Sequence, residues 1–440
     1  MEKVSRLEKY AEILGAETIK ELRNLAKPLE GKRIAMINST KDGGGVAELL
    51  KSMVPCFEEL GINIDWPVLE AESSFFRTTK SFHNALQGES LDNIDSAIED
   101  YKGFYSNPDR FDKHNKNLIG YFEKYSFDIV VVHDPQPLAL AEKFEKYRKG
   151  SKWVWRCHID TGKPNKKLGD FIHEHIKRYD AAIASTDWFK SGEGIDWRII
   201  PPSIDPVTDK NRDLSEEETQ SKFNDVLKKY GLDKNYPIIT QVSRLDKWKD
   251  PMGVIDVFKN VRKNHKCQLV LMYSGASDDP EGQVMYQEVN SAKEKSPYKN
   301  DIHLIEGKDP LVVNAFQRYS SIVLQKSIRE GFALTVTEAL WKSTPVIATN
   351  VGGISLQVQN DKNGYLSRGY EVEKGALAVD NKDRERHIDE VSANVNDLLL
   401  NPAKARRFGE YGKEHVKRNF LTPRHVKDYL TLFNSLYKKT

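Results

Sequence analysis

Two glutamates in the second half of the chain have the residue type and the spacing to bind a polyhydroxyl ligand. Glu330 and Glu338 are separated by seven residues in "SIREGFALTVTEALW". We expect Glu330 at the end of a strand and its loop, and Glu338 about one turn into the helix that follows. Carboxylates placed in this way can accept hydrogen bonds from vicinal hydroxyls of a sugar or a ribose. The alternative is that the acids only favour the helix dipole.

Two turns that lead into predicted helices could bind an anion. Backbone N–H groups at Gly331, Phe332 and Leu334 open the helix that contains the second glutamate, and a helix N-terminus attracts phosphate. The glycines Gly43–Gly45 in "STKDGGGVAELL" also run straight into a predicted helix. Their spacing matches neither a dinucleotide fingerprint nor a P-loop, so a tight turn that needs positive φ is an equal alternative.

A basic pair follows another predicted strand. Arg244 and Lys249 lie in "QVSRLDKWKD". A guanidinium and an ammonium group together suit a diphosphate, because one binds in a bidentate manner and the other is a movable point charge. The alternative is a solvated basic turn, since Lys247 lies between them.

An ionisable pair also follows a strand in the first half of the chain. The segment "HDPQPLAL" comes directly after the apolar run "FDIVVV". His133 and Asp134 could therefore cap a turn or belong to an active site.

The elements that would position these residues alternate between strands and helices. This alternation predicts an α/β protein with parallel, doubly wound sheets. The strands expected in the first part are Arg33–Ser39, Ile62–Glu70, Phe127–His133, Lys152–Asp160, Tyr179–Ser185 and Trp197–Pro206. After a break at Pro201–Lys234, the expected strands are Pro237–Arg244, Cys267–Gly275, Asp301–Gly307, Ser320–Ser327 and Thr344–Asn350. Ligands of such sheets lie beyond the carboxyl ends of strands, where the candidate residues occur.

Composition excludes several classes of function. The 440 residues contain 67 basic and 65 acidic side chains, so no basic surface suggests nucleic-acid binding. Three widely separated cysteines argue against a disulfide framework and fit a reducing compartment. The N-terminus lacks the apolar core of a signal peptide, and no apolar run is long enough to span a membrane. We therefore expect a cytoplasmic protein without a membrane partner.

These motifs together resemble the retaining glycosyltransferases of family 4, which have the GT-B fold. The segments "EGFALTVTE", "SRLDKWK" and the glycine loop carry this resemblance. Others are similar to the trehalose-forming enzymes of the family and to the retaining trehalose phosphorylases, namely "FHNALQG", "VHDPQPLAL", "WRCHID" and "PPSIDP". The resemblance covers almost the whole chain. It implies two Rossmann-like domains that face each other across a deep cleft, with 1–206 binding the acceptor and 207–420 the sugar nucleotide, and a C-terminal helix in 421–440 that could cross back to the first domain.

The resemblance implies roles for the donor-binding residues. Glu330 would contact hydroxyls of the donor glucose, and Glu338 would hold the ribose. Arg244 and Lys249 would neutralise the diphosphate leaving group. The backbone at Gly44 and Gly45 would approach the donor phosphate.

The resemblance also implies residues around the sugars. His158 in "WRCHID" matches a histidine beside the donor sugar, and Asp134 matches an acidic acceptor-binding position. His83 and Asn84 would contact acceptor hydroxyls. The related trehalose-phosphate synthases read "HDYH" where this chain reads "HDPQ", so positions 135 and 136 depart from that pattern.

The reaction that the resemblance implies is a reversible, retaining transfer of glucose from a nucleoside-diphosphate-glucose to glucose, which forms trehalose. Same-face attack would be guided by the leaving phosphate. The alternatives are a retaining trehalose phosphorylase, a related transferase with another acceptor, and a sugar-nucleotide-binding protein without catalysis. No bound cofactor is required and no metal-ligand spacing is visible, although Mg²⁺ could accompany the donor. The expected partners are sugars and a sugar nucleotide, and a homodimer is compatible with the sequence.

Overall fold

The computed structural model describes residues 5–274, 280–370 and 381–437. Over these residues the strands are β1 (Arg33–Ile37), β2 (Asn63–Asp65), β3 (Ile129–His133), β4 (Lys152–Arg156), β5 (Ala181–Ala184), β6 (Trp197–Ile199), β7 (Ile238–Arg244), β8 (Gln268–Ser274), β9 (Ile302–Glu306), β10 (Ile322–Gln325), β11 (Val346–Thr349) and β12 (Gly364–Ser367). The helices are α1 (Arg6–Leu14), α2 (Ala16–Ala26), α3 (Gly44–Glu59), α4 (Ser73–Leu86), α5 (Ile94–Ser106), α6 (Phe111–His114), α7 (Lys116–Lys124), α8 (Leu140–Lys143), α9 (Lys166–Ile176), α10 (Glu216–Tyr230), α11 (Pro251–Arg262), α12 (Pro280–Glu294), α13 (Pro310–Tyr319), α14 (Leu334–Trp341), α15 (Ile354–Gln357), α16 (Asn381–Leu400), α17 (Pro402–Asn419) and α18 (Thr422–Tyr437).

The strands form two parallel sheets, which confirms the predicted α/β class. The first has the order β2-β1-β3-β4-β5-β6 and the second β12-β11-β10-β7-β8-β9. All five residues of β3 are buried, as expected for a strand that helices cover on both faces. In each sheet the strand order reverses once, between β1 and β3 and between β7 and β10. These reversals are the topological switch points at which doubly wound sheets bind ligands.

The chain divides into two compact units, each of which contains one sheet. The first unit holds the residues up to Ser203 together with those from Thr422 onward, and the second holds the described residues between Ile204 and Leu421. Helix α18 packs within the first unit, where Asn434 donates a hydrogen bond to the Leu25 carbonyl at 2.8 Å. The C-terminal helix therefore completes the unit that contains the first sheet.

Three details differ from the expected elements. The second strand is only Asn63–Asp65, because Pro67 has no N–H to continue a ladder; only an isolated bridge from Asn38 to Val68 follows it. The charged stretch that was interpreted as a break contains helix α10. A capping box formed by Ser215 and Glu218 stabilises the start of this helix. The short edge strand β12 was not predicted.

The remaining composition-based expectations concern cysteines and membranes. Cys56, Cys157 and Cys267 are all buried and form no disulfide. No helix in the described part of the chain is both long and apolar enough to cross a membrane.

Candidate active site

The switch point of the second sheet places Glu330 beside Lys249. Lys249 ends a short 3-10 helix, Lys247–Lys249, that follows β7, and Glu330 lies in the loop after β10. The Lys249 ammonium forms an ion pair with Glu330 Oε2, and both side chains are mostly buried. Ser327 Oγ donates a second hydrogen bond to the same oxygen at 3.2 Å. Two groups that are distant in sequence therefore meet where a ligand of this sheet is expected.

Backbone and amide hydrogen bonds hold these two loops together. The Ile328 N–H donates to the Trp248 carbonyl at 2.8 Å. The Gln241 side chain donates to the Lys249 carbonyl at 3.0 Å and accepts from the Lys326 N–H at 3.1 Å. Because Gln241 is buried inside β7, the position of the Lys249–Glu330 pair is set by the sheet itself.

The segment between the two glutamates has a constrained backbone. Ala333 adopts φ +68°, a left-handed conformation that costs a residue with a Cβ about 1–2 kcal/mol. The Phe332 carbonyl accepts a hydrogen bond from the buried Gln357 side chain. A Cβ on Gly353 would lie 2.8 Å from the Gly331 carbonyl oxygen, so only glycine allows this close approach. Helix α14 then begins at Leu334 with no side-chain cap, and its first amides point beyond the helix end.

Glu338 is fully buried and ion-paired. Its Oε1 lies 2.7 Å from Lys210 Nζ, and Gln317 Nε2 donates to Oε2 at 3.2 Å. Burial acts to raise the pKa of Glu338, but the charges of Lys210 and Lys342 outweigh this effect and the pKa lies below its ordinary value. A charged carboxylate is therefore maintained about one turn into α14, as the spacing predicts.

Arg244 differs from Lys249 in its surroundings. It is the last residue of β7, half of its side chain is exposed, and its guanidinium forms an ion pair with Asp246 at 3.1 Å. The structure thus places Lys249, but not Arg244, in contact with Glu330. The exposed guanidinium remains accessible to an anion.

The glycine loop of the first unit follows β1 and begins α3. Gly43 and Gly44 have φ of +73° and +76°, which glycine adopts without strain. Helix α3 begins at Gly44 with no side-chain cap, and Gly45 lies in its first turn. This geometry fits both interpretations of the glycine run. The turn needs glycine for its positive φ values, and it also leaves the first amides of α3 without a side-chain cap.

Asp134 and His158 are brought together at the carboxyl ends of β3 and β4. Asp134 has φ +66°, and its Oδ1 accepts a hydrogen bond from the His158 N–H at 2.7 Å. The side chains of His133 and His158 share a hydrogen bond of 3.0 Å. Asp134 therefore fixes the turn after β4, and both residues lie next to His158, while their membership of an active site stays a prediction.

Burial makes the groups in this cluster resist ionisation. Burial raises the pKa of Asp134 to about 6, although the His158 N–H and the charge of Arg156 act in the opposite direction. Burial and Arg156 together lower the pKa of His133 to about 3. The pKa of His158 is also lowered well below its ordinary value by burial, with a further contribution from Arg156. Both imidazoles are thus neutral hydrogen-bonding groups at neutral pH.

His83 and Asn84 lie in the last turn of α4. The Asn165 N–H donates to the Ala85 carbonyl at 2.8 Å, so this turn packs against the segment that follows β4. Within the described residues, the buried Oδ1 of Asn84 and Nε2 of Gln87 have no hydrogen-bond partner. Both side chains are buried, with 9% of Asn84 and 6% of Gln87 exposed.

Several residues beside the candidate site were not predicted from the sequence. Lys326 is almost fully buried and forms an ion pair with Asp250 and a hydrogen bond to Tyr370. The position of Lys326, directly after a buried strand, could have indicated a site residue from the sequence alone. Lys210, by contrast, lies in the stretch interpreted as a break and carries no such signal.

No group of three or more His, Cys, Asp or Glu side chains that could hold a metal ion occurs in the part of the chain that the structure describes.

Comparison with known proteins gives matches over both units. The family model "Trehalose synthase, N-terminal domain" matches residues 36–191, and "Glycosyl transferases group 1" matches residues 222–415. The trehalose synthase of Pyrococcus horikoshii is 39% identical, with 98% of this chain and 96% of that protein covered. The trehalose synthase of Rubrobacter xylanophilus is 39% identical, covering 97% and 96%. A trehalose phosphorylase of Pleurotus pulmonarius is 28% identical, covering 94% of this chain and 58% of that protein.

Solved structures share the fold at low sequence identity. The sucrose-phosphate synthase from Thermosynechococcus elongatus superposes with a TM-score of 0.66 at 15% identity, covering 93% of this chain and 100% of that one. The trehalose 6-phosphate synthase from Burkholderia multivorans gives a TM-score of 0.68 at 13% identity, covering 93% and 97%. Both similarities concern the fold alone.

Proposed function

Because this chain has the GT-B fold and belongs to the trehalose synthase family of glycosyltransferases, we propose that it is a retaining hexosyltransferase that forms trehalose from a nucleoside-diphosphate-glucose and glucose. The observation that carries the proposal is the Lys249–Glu330 ion pair at the switch point of the second sheet. It combines a cation for a leaving diphosphate with a carboxylate for sugar hydroxyls.

Donor binding would exchange one set of contacts for another. Lys249 turns from Glu330 toward the diphosphate, and Glu330 then accepts hydrogen bonds from the donor glucose. The uncapped first amides of α14 and the exposed guanidinium of Arg244 add further donors to the phosphate oxygens. The buried carboxylate of Glu338 accepts hydrogen bonds from the ribose hydroxyls. Lys210, which is paired with this carboxylate, must then share it with the ribose or move away from it.

The chemical step breaks the bond between the anomeric carbon and the diphosphate oxygen and forms a bond from that carbon to an acceptor hydroxyl oxygen. Negative charge develops on the leaving oxygens, and stabilising it is the largest contribution expected from this chain, through Lys249 and Arg244. The hydroxyl proton passes to a leaving phosphate oxygen on the same face, which preserves the anomeric configuration. The overall products are trehalose and the nucleoside diphosphate.

The acceptor would be held by the first unit. Asp134 accepts from an acceptor hydroxyl once it is ionised, and the buried polar atoms of Asn84 and Gln87 supply further hydrogen bonds. His83 lies in the same helical turn. His158, neutral because of burial, would offer a hydrogen bond to a sugar without adding positive charge beside it.

Phosphorolysis is the second candidate, because trehalose phosphorylases are also similar to this chain. A phosphorylase would bind free phosphate where the synthase binds the β-phosphate of the nucleotide. Identity is lower than with the trehalose synthases, 28% against 39%, which favours the synthase.

The deciding experiment is to incubate the purified protein with UDP-, ADP- or GDP-glucose, with and without glucose, in the presence of EDTA or Mg²⁺. Nucleoside diphosphate release that depends on glucose, with an α,α-1,1-linked disaccharide as product, is the expected result. Parallel reactions contain trehalose with phosphate or with a nucleoside diphosphate. Glucose 1-phosphate formation without any nucleotide-dependent reaction would reject the synthase in favour of the phosphorylase.

A further inference from the structure

A second ion pair joins the two loops that carry Lys249 and Glu330. Asp250 directly follows Lys249 in the loop after β7. Lys326 directly follows β10 and begins the loop that contains Glu330. The Asp250 carboxylate pairs with the Lys326 ammonium, and the Lys326 side chain is 1% exposed against 14% for Lys249. The same two loops are therefore connected twice, and the second connection is the more deeply buried.

Asp250 is held by contacts to three elements. Its Oδ1 accepts from the Gly253 N–H at 3.0 Å, which caps α11. Its Oδ2 accepts from the Lys326 ammonium and, at 2.9 Å, from the hydroxyl of Tyr370, which lies after β12. The Tyr370 oxygen in turn accepts from Lys326, so the three polar groups satisfy one another. Because Asp250 is bonded to Lys249, these contacts also fix the backbone of Lys249.

The backbone around this pair is shaped to accommodate it. Asp250 adopts φ +43°, a left-handed conformation that most residues with a Cβ avoid and aspartate tolerates better. A Cβ on Gly253 would overlap Asp250 Oδ2 and lie 2.5 Å from Lys326 Nζ. The first turn of α11 thus leaves room for the ion pair only because residue 253 is glycine.

A donor would affect the two pairs differently. Under the proposed function, Lys249 turns from Glu330 toward the diphosphate, and this removes one connection between the loops. The carboxylate of Asp250 keeps its contacts to α11, Lys326 and Tyr370 during that exchange. Removing one member of such a buried pair leaves the other charge uncompensated, which strongly disfavours its opening.

We propose that Lys326 is a positioning residue, whose ion pair with Asp250 holds the loops after β7 and β10 together. This pair keeps Lys249 in place when a donor diphosphate replaces Glu330 as its partner, a part of the inference that rests on the proposed function. Lys326 contacts no substrate in this arrangement, because it acts through the backbone that Asp250 shares with Lys249.

Amine labelling tests the position of Lys249 without any substrate. The full chain is treated briefly with acetic anhydride, and acetylation at each lysine is quantified by mass spectrometry. In Lys326→Met we expect Lys249 to react about tenfold faster than in wild type, because its loop can then move away from Glu330. Lys308, whose side chain is 76% exposed, should react equally in both proteins. An unchanged rate at Lys249 in folded Lys326→Met would overturn the proposal.

Calorimetry with UDP, ADP and GDP tests the effect on the diphosphate site. We expect Lys326→Met to bind the preferred diphosphate about tenfold more weakly than wild type. Since Lys326 acts through Lys249, adding Lys326→Met to Lys249→Ala should cause no further loss. A double variant that binds about tenfold more weakly than Lys249→Ala would show two independent effects and reject the positioning role. Lys222→Met, which removes a lysine paired with Asp309 in the same unit, is the control and should bind as wild type does.

Gly253→Ala disturbs the pair without removing a charge. Its methyl group displaces the Asp250 carboxylate from Lys326, so Lys249 should again label faster and the diphosphate should bind more weakly. Gly120→Ala on α7, where a Cβ meets nothing within 4 Å, is the matched control and should change neither.

Two further arms keep the outcomes distinct. If Lys326→Met does not fold, Asp250→Asn/Lys326→Met, which removes both buried charges together, takes its place in both measurements. A wild-type protein that binds none of the three diphosphates would reject the proposed function, and the labelling rate of Lys249 would then decide alone whether Lys326 holds the loops.

Discussion

Buried ionisable groups are accommodated differently at the switch points of the two sheets. In the second sheet, acids and lysines are paired: Lys249 with Glu330, Lys210 with Glu338 and Lys326 with Asp250. In the first sheet, the imidazoles of His133 and His158 are neutral, and the fully buried guanidinium of Arg156 donates to the hydroxyl of Ser185.

This difference suggests a division of labour. A lysine that already compensates a carboxylate can turn to a diphosphate while the carboxylate turns to sugar hydroxyls, so charged groups stay partnered throughout. Neutral imidazoles beside a carboxylate that ionises as pH rises through about 6 suit a ligand that offers hydroxyl groups and no charge. Under the proposed function, the second sheet would therefore bind the nucleotide sugar and the first would bind the acceptor.

Breaking the Lys249–Glu330 pair on its acidic side should have the largest effect. Glu330→Gln keeps the side-chain shape but removes the charge that pairs with Lys249 and that, under the proposed function, accepts hydrogen bonds from the donor glucose. We expect kcat/KM for the nucleotide sugar to fall about 100-fold, equivalent to ~3 kcal/mol, while circular dichroism shows an intact fold. Glu294→Gln, on an exposed position of α12, is the matched control. Wild-type turnover by folded Glu330→Gln would remove this residue from the site.

Removing the basic member of the Lys249–Glu330 pair should weaken binding of the diphosphate. Lys249→Ala is expected to weaken nucleoside diphosphate binding about 30-fold, because one charge-assisted contact is lost. Its affinity should also depend less steeply on salt than that of the wild type. Calorimetry at two ionic strengths measures both effects, with Lys308→Ala at an exposed site of the same unit as control. Unchanged affinity would mean that Lys249 only neutralises Glu330.

The sequence predicted the parts of this comparison that depend on strand ends. Parallel strands bring their carboxyl ends to one edge, so Lys249 and Glu330 could be expected near each other although 81 positions separate them. The start of a helix between Glu330 and Glu338 was also predictable, because the residues from Leu334 onward have a helical pattern. Polar residues directly after apolar runs therefore indicated the strand ends at which these candidate residues lie.

The partners that set the charge of each site could not be predicted in this way. Lys210 reaches Glu338 from a stretch without a periodic pattern, and His425 meets Ser203 across 222 positions. Such contacts depend on how α18 and the segment before α10 return to their sheets, which hydrophobic periodicity does not specify. For the same reason the sequence alone does not reveal that Arg156 is fully buried and that its guanidinium donates to Ser185.

On the acceptor side, Asp134→Asn should have a moderate effect with a distinctive pH dependence. Asparagine tolerates φ +66° and can still accept from the His158 N–H, so the turn should persist. We expect KM for the acceptor to rise about five- to tenfold. Since burial raises the pKa of Asp134 to about 6, wild-type acceptor use should increase as pH rises through 6, and the variant should lose this limb. Unaltered acceptor saturation would refute the assignment.

The same substitution should change stability with the opposite sign. A carboxyl whose pKa is raised on folding contributes stability that is fully present below its unfolded pKa, about 4, and is lost as pH rises through about 6. Asparagine does not titrate, so Asp134→Asn removes this pH-dependent loss of stability. The variant should therefore gain stability relative to wild type between pH 4 and 6, as measured by urea unfolding at each pH.

The smallest expected effect concerns the backbone that carries Glu330. Ala333→Gly relieves a left-handed φ of +68° but adds freedom to the unfolded chain, so the net gain should be about 0.5–1 kcal/mol. Ser343→Gly relieves φ +60° just after the other end of α14 and is the matched control. Both should raise Tm by about 1–3 °C. Only Ala333→Gly should raise the donor KM, about twofold, because it loosens the amides at the start of α14. An equal donor KM in the two variants would show that this strained turn serves the fold and not the nucleotide sugar.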